Sequence, residues 1–225
     1  DDETKARIKK LKRTELCDAT VGGFDLIVSR TGYTGERMAF ELFVHPDESP
    51  KLWKALAEVG EPMGMKACGL GARDSLRTEA GLPLYGQEMG GEMNLSVGDA
   101  NFRTYVKTYK PWFIGRQGFL ARESKRKSKV IRFRFSEKGV RMAHLGDPIT
   151  DKRGKTIGVV TSCAADKDGY LTGQAYVNLK NAKKGTSLLI FPHASKEAIA
   201  PAELSPGDRM TVPNPATVLR RFPKL

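Results

Sequence analysis

The sequence has 225 residues, a length that allows one or two domains with hydrophobic cores of their own. Hydrophobic residues make up 40% and charged residues 28%, which excludes a low-complexity or largely disordered chain. The formal net charge is +12, from 38 basic and 26 acidic residues. This imbalance favours an anionic partner without distinguishing among nucleic acid, a phosphate or carboxylate ligand, and an acidic protein.

The cysteines and histidines indicate neither a disulfide framework nor a metal site. Cys17, Cys68 and Cys163 are odd in number and far apart, so we expect a reducing compartment. The three histidines are scattered, whereas a zinc site needs clustered donors, and we expect no metal. No apolar run approaches the roughly 18 residues of a membrane helix, and the acidic N-terminus does not resemble a signal peptide. We therefore expect a cytoplasmic protein with no membrane association.

The first predicted elements are two strands and a helix. The β-rich run Phe24 to Val28 follows the turn at Gly22-Gly23, and a second strand, Met38 to Val44, follows a glycine-rich loop. In DESPKLWKALAEVG, Ser49 can act as N-cap, and apolar residues recur at helical spacing as far as Gly60.

A second helix is predicted over Ala72 to Ala80, because Gly81 and Pro83 end a run of helix-forming residues. Two more short strands are predicted around Tyr105 to Val106. The alternation of strands and helices favours an α+β layer over a helical bundle.

After a short helix at Arg116 to Glu123, the sequence becomes almost entirely β. Four short runs separated by glycine, aspartate or proline turns predict a closed or sandwiched β unit. They are Val130 to Phe135, Thr156 to Ser162, Leu171 to Val177 and Ser187 to Phe191. We predict one domain over residues 1–115 and a second over residues 116–225.

The loop GYTGE, residues 32–36, lies between two predicted strands and can be either a structural hairpin or a binding loop. It lacks the lysine and the second half of a phosphate-binding P-loop. Two charged residues offer groups that a ligand could bind, and each could also be a solvated surface charge. Glu41 offers a carboxylate that matches the donor edge of an aminopyrimidine, and Arg73 offers a guanidinium that matches a carboxylate or carbonyl.

Three motifs occur in the same order as in the glycine cleavage T-protein (aminomethyltransferase) family. They are GYTGERMAFELFV, GLGARDSLRTEAGLPLYGQEM and KPWFIGRQGFLARE, and residues 146–191 resemble the β-barrel of that family. The resemblance implies an α+β fold: a ferredoxin-like folate-binding half-domain followed by a small all-β barrel or jelly-roll domain. It identifies this sequence with the C-terminal part of the family.

The resemblance also implies a tetrahydrofolate cofactor. The matching positions are Glu41 and Arg73, which contact the cofactor in the family, and Tyr33, which lies close to it. A residue near the C-terminus also reaches the ligand, and Arg221 is the best match, with Arg220 as the alternative. The family commonly has GYTGEDGFE, so GYTGERMAFE has one additional residue before Glu41, which a β-bulge could accommodate.

In the family, an aspartate well upstream of GYTGE assists transfer of a one-carbon unit from an aminomethyl-lipoyl carrier protein to tetrahydrofolate, with release of ammonia. No residues upstream of Gly32 match that region, so we assign no catalytic residue. We expect the sequence to need an N-terminal half and a lipoylated H-protein as partners, and to be inactive without the former. The sequence therefore leaves open whether this chain is an enzyme by itself.

Other functions remain open. A folate-dependent demethylase component could use another methyl donor, since the acceptor residues do not distinguish the donors. A non-catalytic folate-binding or RNA-modification relative would have KGCYxGQE, of which LYGQE at 84–88 matches only the end. The basic segments Lys5 to Arg13 and Ala121 to Arg134 could bind nucleic acid, but Arg132 and Arg134 alternate with apolar residues as on a solvated strand face. We therefore expect no nucleic-acid partner.

Overall fold

The computed structural model describes residues 1–192, 205–207 and 211–223. The chain forms two compact units, Asp1–Leu76 and Arg77–Lys224, and the boundary between them lies within the helix Leu70–Ala80. None of the described helices combines the length and the apolar character that crossing a membrane requires.

The first unit contains a three-stranded antiparallel sheet in the order β1-β2-β3. Its elements are α1 (Asp2–Lys10), β1 (Leu16–Val21), β2 (Phe24–Ser29), β3 (Glu41–Phe43), α2 (Ser49–Gly60) and the start of α3 (Leu70–Ala80). In the sheet, Ile27 lies opposite Phe43, and Ser29 lies opposite Glu41.

One face of this sheet forms the hydrophobic core of the first unit. Alternate residues of β1 and β2 pack against the end of α1 and against α2, because successive side chains of a strand point to opposite faces. The buried members are Leu11, Ala19, Leu26, Val28 and Leu52. The opposite face leaves Ile27 41% and Phe43 56% exposed.

The second unit is built on a six-stranded antiparallel barrel in the order β4-β7-β6-β5-β8-β9. After α4 (Arg116–Lys125), its strands are β4 (Ser128–Phe135), β5 (Pro148–Thr150), β6 (Thr156–Ala165), β7 (Leu171–Asn178), β8 (Ser187–Ile190) and β9 (Asn214–Val218). Ile131, Phe133 and Phe135 alternate into the barrel core, where they pack with apolar residues of the other strands. Closure pairs β4 with β9, so the barrel has no free strand edge.

The structure confirms the α+β class with a small all-β barrel, and the β unit is a closed barrel. The strand prediction at Tyr105 to Val106 is wrong, since Arg103–Tyr105 forms a 3₁₀ helix. Ser49 does not cap α2; it is the first residue of the helix, and a 3₁₀ turn, Pro46–Glu48, precedes it.

Candidate functional site

The loop between β2 and β3 folds tightly back on itself. A Cβ atom added to Gly32 would collide with the Cβ of Ala39, so this position requires glycine. The hydroxyl of Thr31 lies 3.2 Å from that of Ser29, which is buried. The start of the loop is thus fixed to the sheet.

Glu41 is the first residue of β3, and its side chain is exposed. Its carboxylate accepts a hydrogen bond from the Thr31 hydroxyl. The three residue pairs of β2 and β3 are in continuous register, so no bulge precedes Glu41 within the ladder. The ladder begins at Glu41, so the additional residue lies in the unpaired loop before it.

Tyr33 and Arg73 lie together. The guanidinium carbon of Arg73, in the exposed first turn of α3, is 4.7 Å from the centroid of the Tyr33 ring. This distance is typical of a cation–π contact, which positions the ring and the guanidinium relative to each other. Because Tyr33 follows Thr31 by two residues, one loop contacts both the Glu41 carboxylate, through Thr31, and the Arg73 guanidinium, through Tyr33.

Arg221 lies in the second unit, in the segment that follows β9. Its guanidinium donates to the side-chain oxygen of Gln174 at 2.8 Å and to the carbonyl of Ala100 at 3.2 Å. The rings of Phe102 and Phe222 are each 5.3 Å from its guanidinium carbon. Burial lowers the pKa of Arg221 to about 10, so it stays protonated at neutral pH.

A buried ion pair in the second unit was not predicted from the sequence. The fully buried guanidinium of Arg77 donates to the carboxylate of Glu88 at 2.7 Å. Glu88 also accepts from the hydroxyl of Ser162 at 2.5 Å and from the backbone N–H of Leu84 at 2.9 Å. In the sequence, the sign of this pair was that both charged residues lie in the motif GLGARDSLRTEAGLPLYGQEM. The burial of Arg77 could not be predicted because it depends on Ser162, 85 residues away.

A cavity in the first unit contains none of the predicted binding residues. It has a volume of about 620 Å³ and is lined by residues of α1, of all three strands and of the segment after β3. Among them, the Thr20 hydroxyl donates to the Asp25 carboxylate at 2.8 Å. Within the described residues, no group of three or more histidine, cysteine or acidic side chains could hold a metal ion.

Comparisons with known proteins connect this fold to one family. A family model described as the GCVT N-terminal domain matches residues 2–110. An aminomethyltransferase of Streptomyces avermitilis is 40% identical over 189 residues, which cover 82% of this chain and 50% of that protein. An aminomethyltransferase of Desulfitobacterium hafniense is 40% identical over 143 residues, covering 63% of this chain and 38% of that protein.

The fold also matches a solved structure, that of the glycine cleavage system aminomethyltransferase T from Bartonella henselae. The TM-score is 0.73 at 22% sequence identity, and the match covers 98% of this chain and 58% of that chain. The chain thus spans about half the length of the relatives that it matches. On the family model, the relatives and the shared fold, the chain belongs to the glycine cleavage system T-protein (aminomethyltransferase) family.

Proposed function

We propose that this chain provides the tetrahydrofolate-binding part of an aminomethyltransferase of the glycine cleavage system. The observation that supports the proposal is the single loop, residues 30–40, that holds Tyr33 against Arg73 and hydrogen-bonds Glu41 through Thr31. All three side chains belong to the first unit, in a chain of the aminomethyltransferase family.

The chemistry of these residues fits a folate. An exposed carboxylate such as Glu41 can accept two N–H donors from the aminopyrimidine edge of a pterin. The Arg73 guanidinium can donate to a carbonyl or carboxylate, and the Tyr33 ring can pack against a flat ring system. When bound, tetrahydrofolate would supply the nitrogen that accepts the one-carbon unit. The residues of this chain would bind and orient it.

We further propose the donor and partner that the family resemblance implies, an aminomethyl-lipoyl H-protein. The relatives of this chain share the name aminomethyltransferase, which favours this donor over the methyl donors of a demethylase. The family's catalytic aspartate matches no residue of this chain, so turnover would require residues from the remaining half of the family's length. Those residues could belong to the same polypeptide or to a separate N-terminal partner.

Titration calorimetry with tetrahydrofolate tests the binding site directly. Glu41→Gln keeps the shape of the side chain but removes its charge, and we expect the affinity to fall about 10- to 100-fold, as for loss of a charged hydrogen bond. Glu36→Gln is the matched control, since Glu36 is an exposed glutamate of the same loop. No binding to the unchanged chain, or equal affinity of the two variants, would contradict the proposal.

Arg221 is proposed as a fourth contact, with Arg220 as the alternative. Their substitution to lysine in the same titration distinguishes the two, because lysine keeps the charge but cannot reproduce the planar donors of a guanidinium. We expect weaker folate binding with Arg221→Lys and unchanged binding with Arg220→Lys. The reverse result would assign the contact to Arg220.

A further inference from the structure

A small cavity in the second unit is lined by an excess of basic side chains. Its volume is about 160 Å³, and we call it the basic pocket. Its charged and polar lining residues are Lys129, Arg132, Lys184, Arg220, Arg221 and Asn101. None of the described residues that line it is acidic. The pocket therefore concentrates positive charge in a confined space.

The walls of the basic pocket come from three elements of the barrel. Lys129 and Arg132 belong to β4, Lys184 to the turn that precedes β8, and the two remaining arginines to the segment after β9. The backbone N–H of Leu219 donates to the carbonyl of Arg132 at 2.8 Å, and that of Gly185 donates to the carbonyl of Val218 at 2.9 Å. Backbone hydrogen bonds thus hold the pocket walls in place.

Arg132 is a buried cation whose hydrogen bonds are incomplete. Its side chain is only 7% exposed, and its Nε–H has no partner among the described residues. One terminal nitrogen donates weakly to the carbonyl of Arg220, at 3.4 Å. Glu79 and Asp166 attract it electrostatically, but neither forms an ion pair with it in the described structure, and Asp166 pairs with Arg134 at 2.8 Å.

Arg221 repeats this pattern on the neighbouring wall. Its Nε–H is also buried and lacks a partner among the residues that the structure describes. Burial lowers the pKa of both Arg132 and Arg221, which means that each positive charge is only partly compensated. A buried guanidinium N–H that lacks a hydrogen-bond acceptor is costly, so the described residues do not fully compensate either arginine.

We propose that the basic pocket binds a small oxyanion, either a phosphate or a carboxylate group. A volume of about 160 Å³ equals roughly five water molecules at about 30 Å³ each, which is enough for one such group. Its oxygens would accept from the cationic side chains that line the pocket and would neutralise their charge. The pocket includes Arg221 and Arg220, the proposed folate contact and its alternative, but the oxyanion proposal does not require that folate binds.

Calorimetric titration of the whole chain at constant ionic strength tests this proposal, with inorganic phosphate in one arm and glutarate in the other. We expect saturable binding of one ion per chain in at least one arm, and the arms identify which oxyanion is bound. The double variant Lys129→Gln/Lys184→Gln should weaken binding about tenfold or more, because it removes two charges that line the pocket.

The control is Lys180→Gln/Lys183→Gln, which removes the same charge from two exposed lysines that do not line the pocket. We expect it to bind as the unchanged chain does. Arg132→Met should abolish binding while thermal unfolding shows an intact fold. Equal losses in both lysine variants, or no saturable binding in either arm, would overturn the proposal. Because no folate is used, the result is separable from the test of the proposed function.

Discussion

At the scale of single residues, two arginines of α3 lie in opposite environments. The family motifs and their folate chemistry select Arg73, together with Glu41 and Tyr33. Arg77 is only four residues beyond Arg73 and has the same chemistry, yet it is fully buried whereas Arg73 is exposed. Burial depends on contacts made far along the chain, which local sequence does not specify.

The thiol of Cys163 gives a prediction at this scale. Burial against the barrel core raises its pKa to about 11, so about 0.1% is thiolate at pH 8. At pH 8 we expect iodoacetamide to modify the exposed Cys68 first and to reach Cys163 only after unfolding, as mass spectrometry of the labelled peptides would measure. Equal labelling of both in the folded chain would contradict this.

The same shift links stability to pH. The folded state favours the neutral thiol of Cys163. The contribution of this thiol to the free energy of unfolding is therefore complete below the ordinary thiol pKa of about 9 and is lost as pH rises toward 11. The difference in free energy of unfolding between the unchanged chain and Cys163→Ala should therefore decline over that interval. Urea unfolding at successive pH values would measure it.

At the scale of elements, prediction succeeded where burial leaves a periodic pattern. The barrel strands β4, β6, β7 and β8 alternate or end at glycine turns, and their positions were predicted to within a few residues. The helix α1 was interpreted as a basic segment because none of its residues is buried, so it has no apolar face to reveal its period. The strand β5 was missed because it has only three residues, and β9 was missed because Pro215 interrupts its pattern.

Two glycines with opposite environments test the packing of these elements. In β7, a Cβ added to Gly173 would meet the carbonyl of Ser162 and lie 2.5 Å from the Phe133 ring. We expect Gly173→Ala to destabilise the protein by about 1–3 kcal/mol, as overpacking does. In α4, a Cβ at Gly118 would meet nothing within 4 Å, so Gly118→Ala should stabilise it by about 0.5–1 kcal/mol.

Urea denaturation of both variants measures these changes. A Gly173→Ala protein as stable as the unchanged chain would show that the barrel can expand at this point, contrary to the close packing around Gly173.

At the scale of the whole molecule, the resemblance to a family was enough to predict the fold class. Three ordered motifs specified an α+β part followed by a β unit. The sequence did not decide between a barrel and a sandwich for that unit, because closure depends on the pairing of β4 with β9, strands about 80 residues apart. The buried charges of the second unit were likewise beyond sequence analysis.

The Arg77–Glu88 pair connects the end of α3 and the following loop to the barrel strand β6 within the second unit. Glu88→Gln would leave Arg77 buried without a counter-charge, and we expect a loss of about 3–5 kcal/mol in the free energy of unfolding. Glu48→Gln breaks an exposed pair with Lys51 and should cost at most about 1 kcal/mol.

Denaturant unfolding of the two glutamine variants makes the comparison. The double variant Arg77→Met/Glu88→Leu should lose less than Glu88→Gln, since it removes both charges together. If Glu88→Gln costs no more than Glu48→Gln, the pair does not stabilise the second unit.

Gly81 shows how much one position can determine. It ends α3 in the left-handed conformation, with a φ of +76°, and the N–H of Leu82 donates to the carbonyl of Arg77 across it. A Cβ there would lie 2.5 Å from the carbonyl oxygen of Arg221 and 2.6 Å from Cδ of Arg132. In a library of random missense variants, this codon should therefore be among the least tolerant, because every substitution would disturb both the end of a helix and the arginines of the basic pocket.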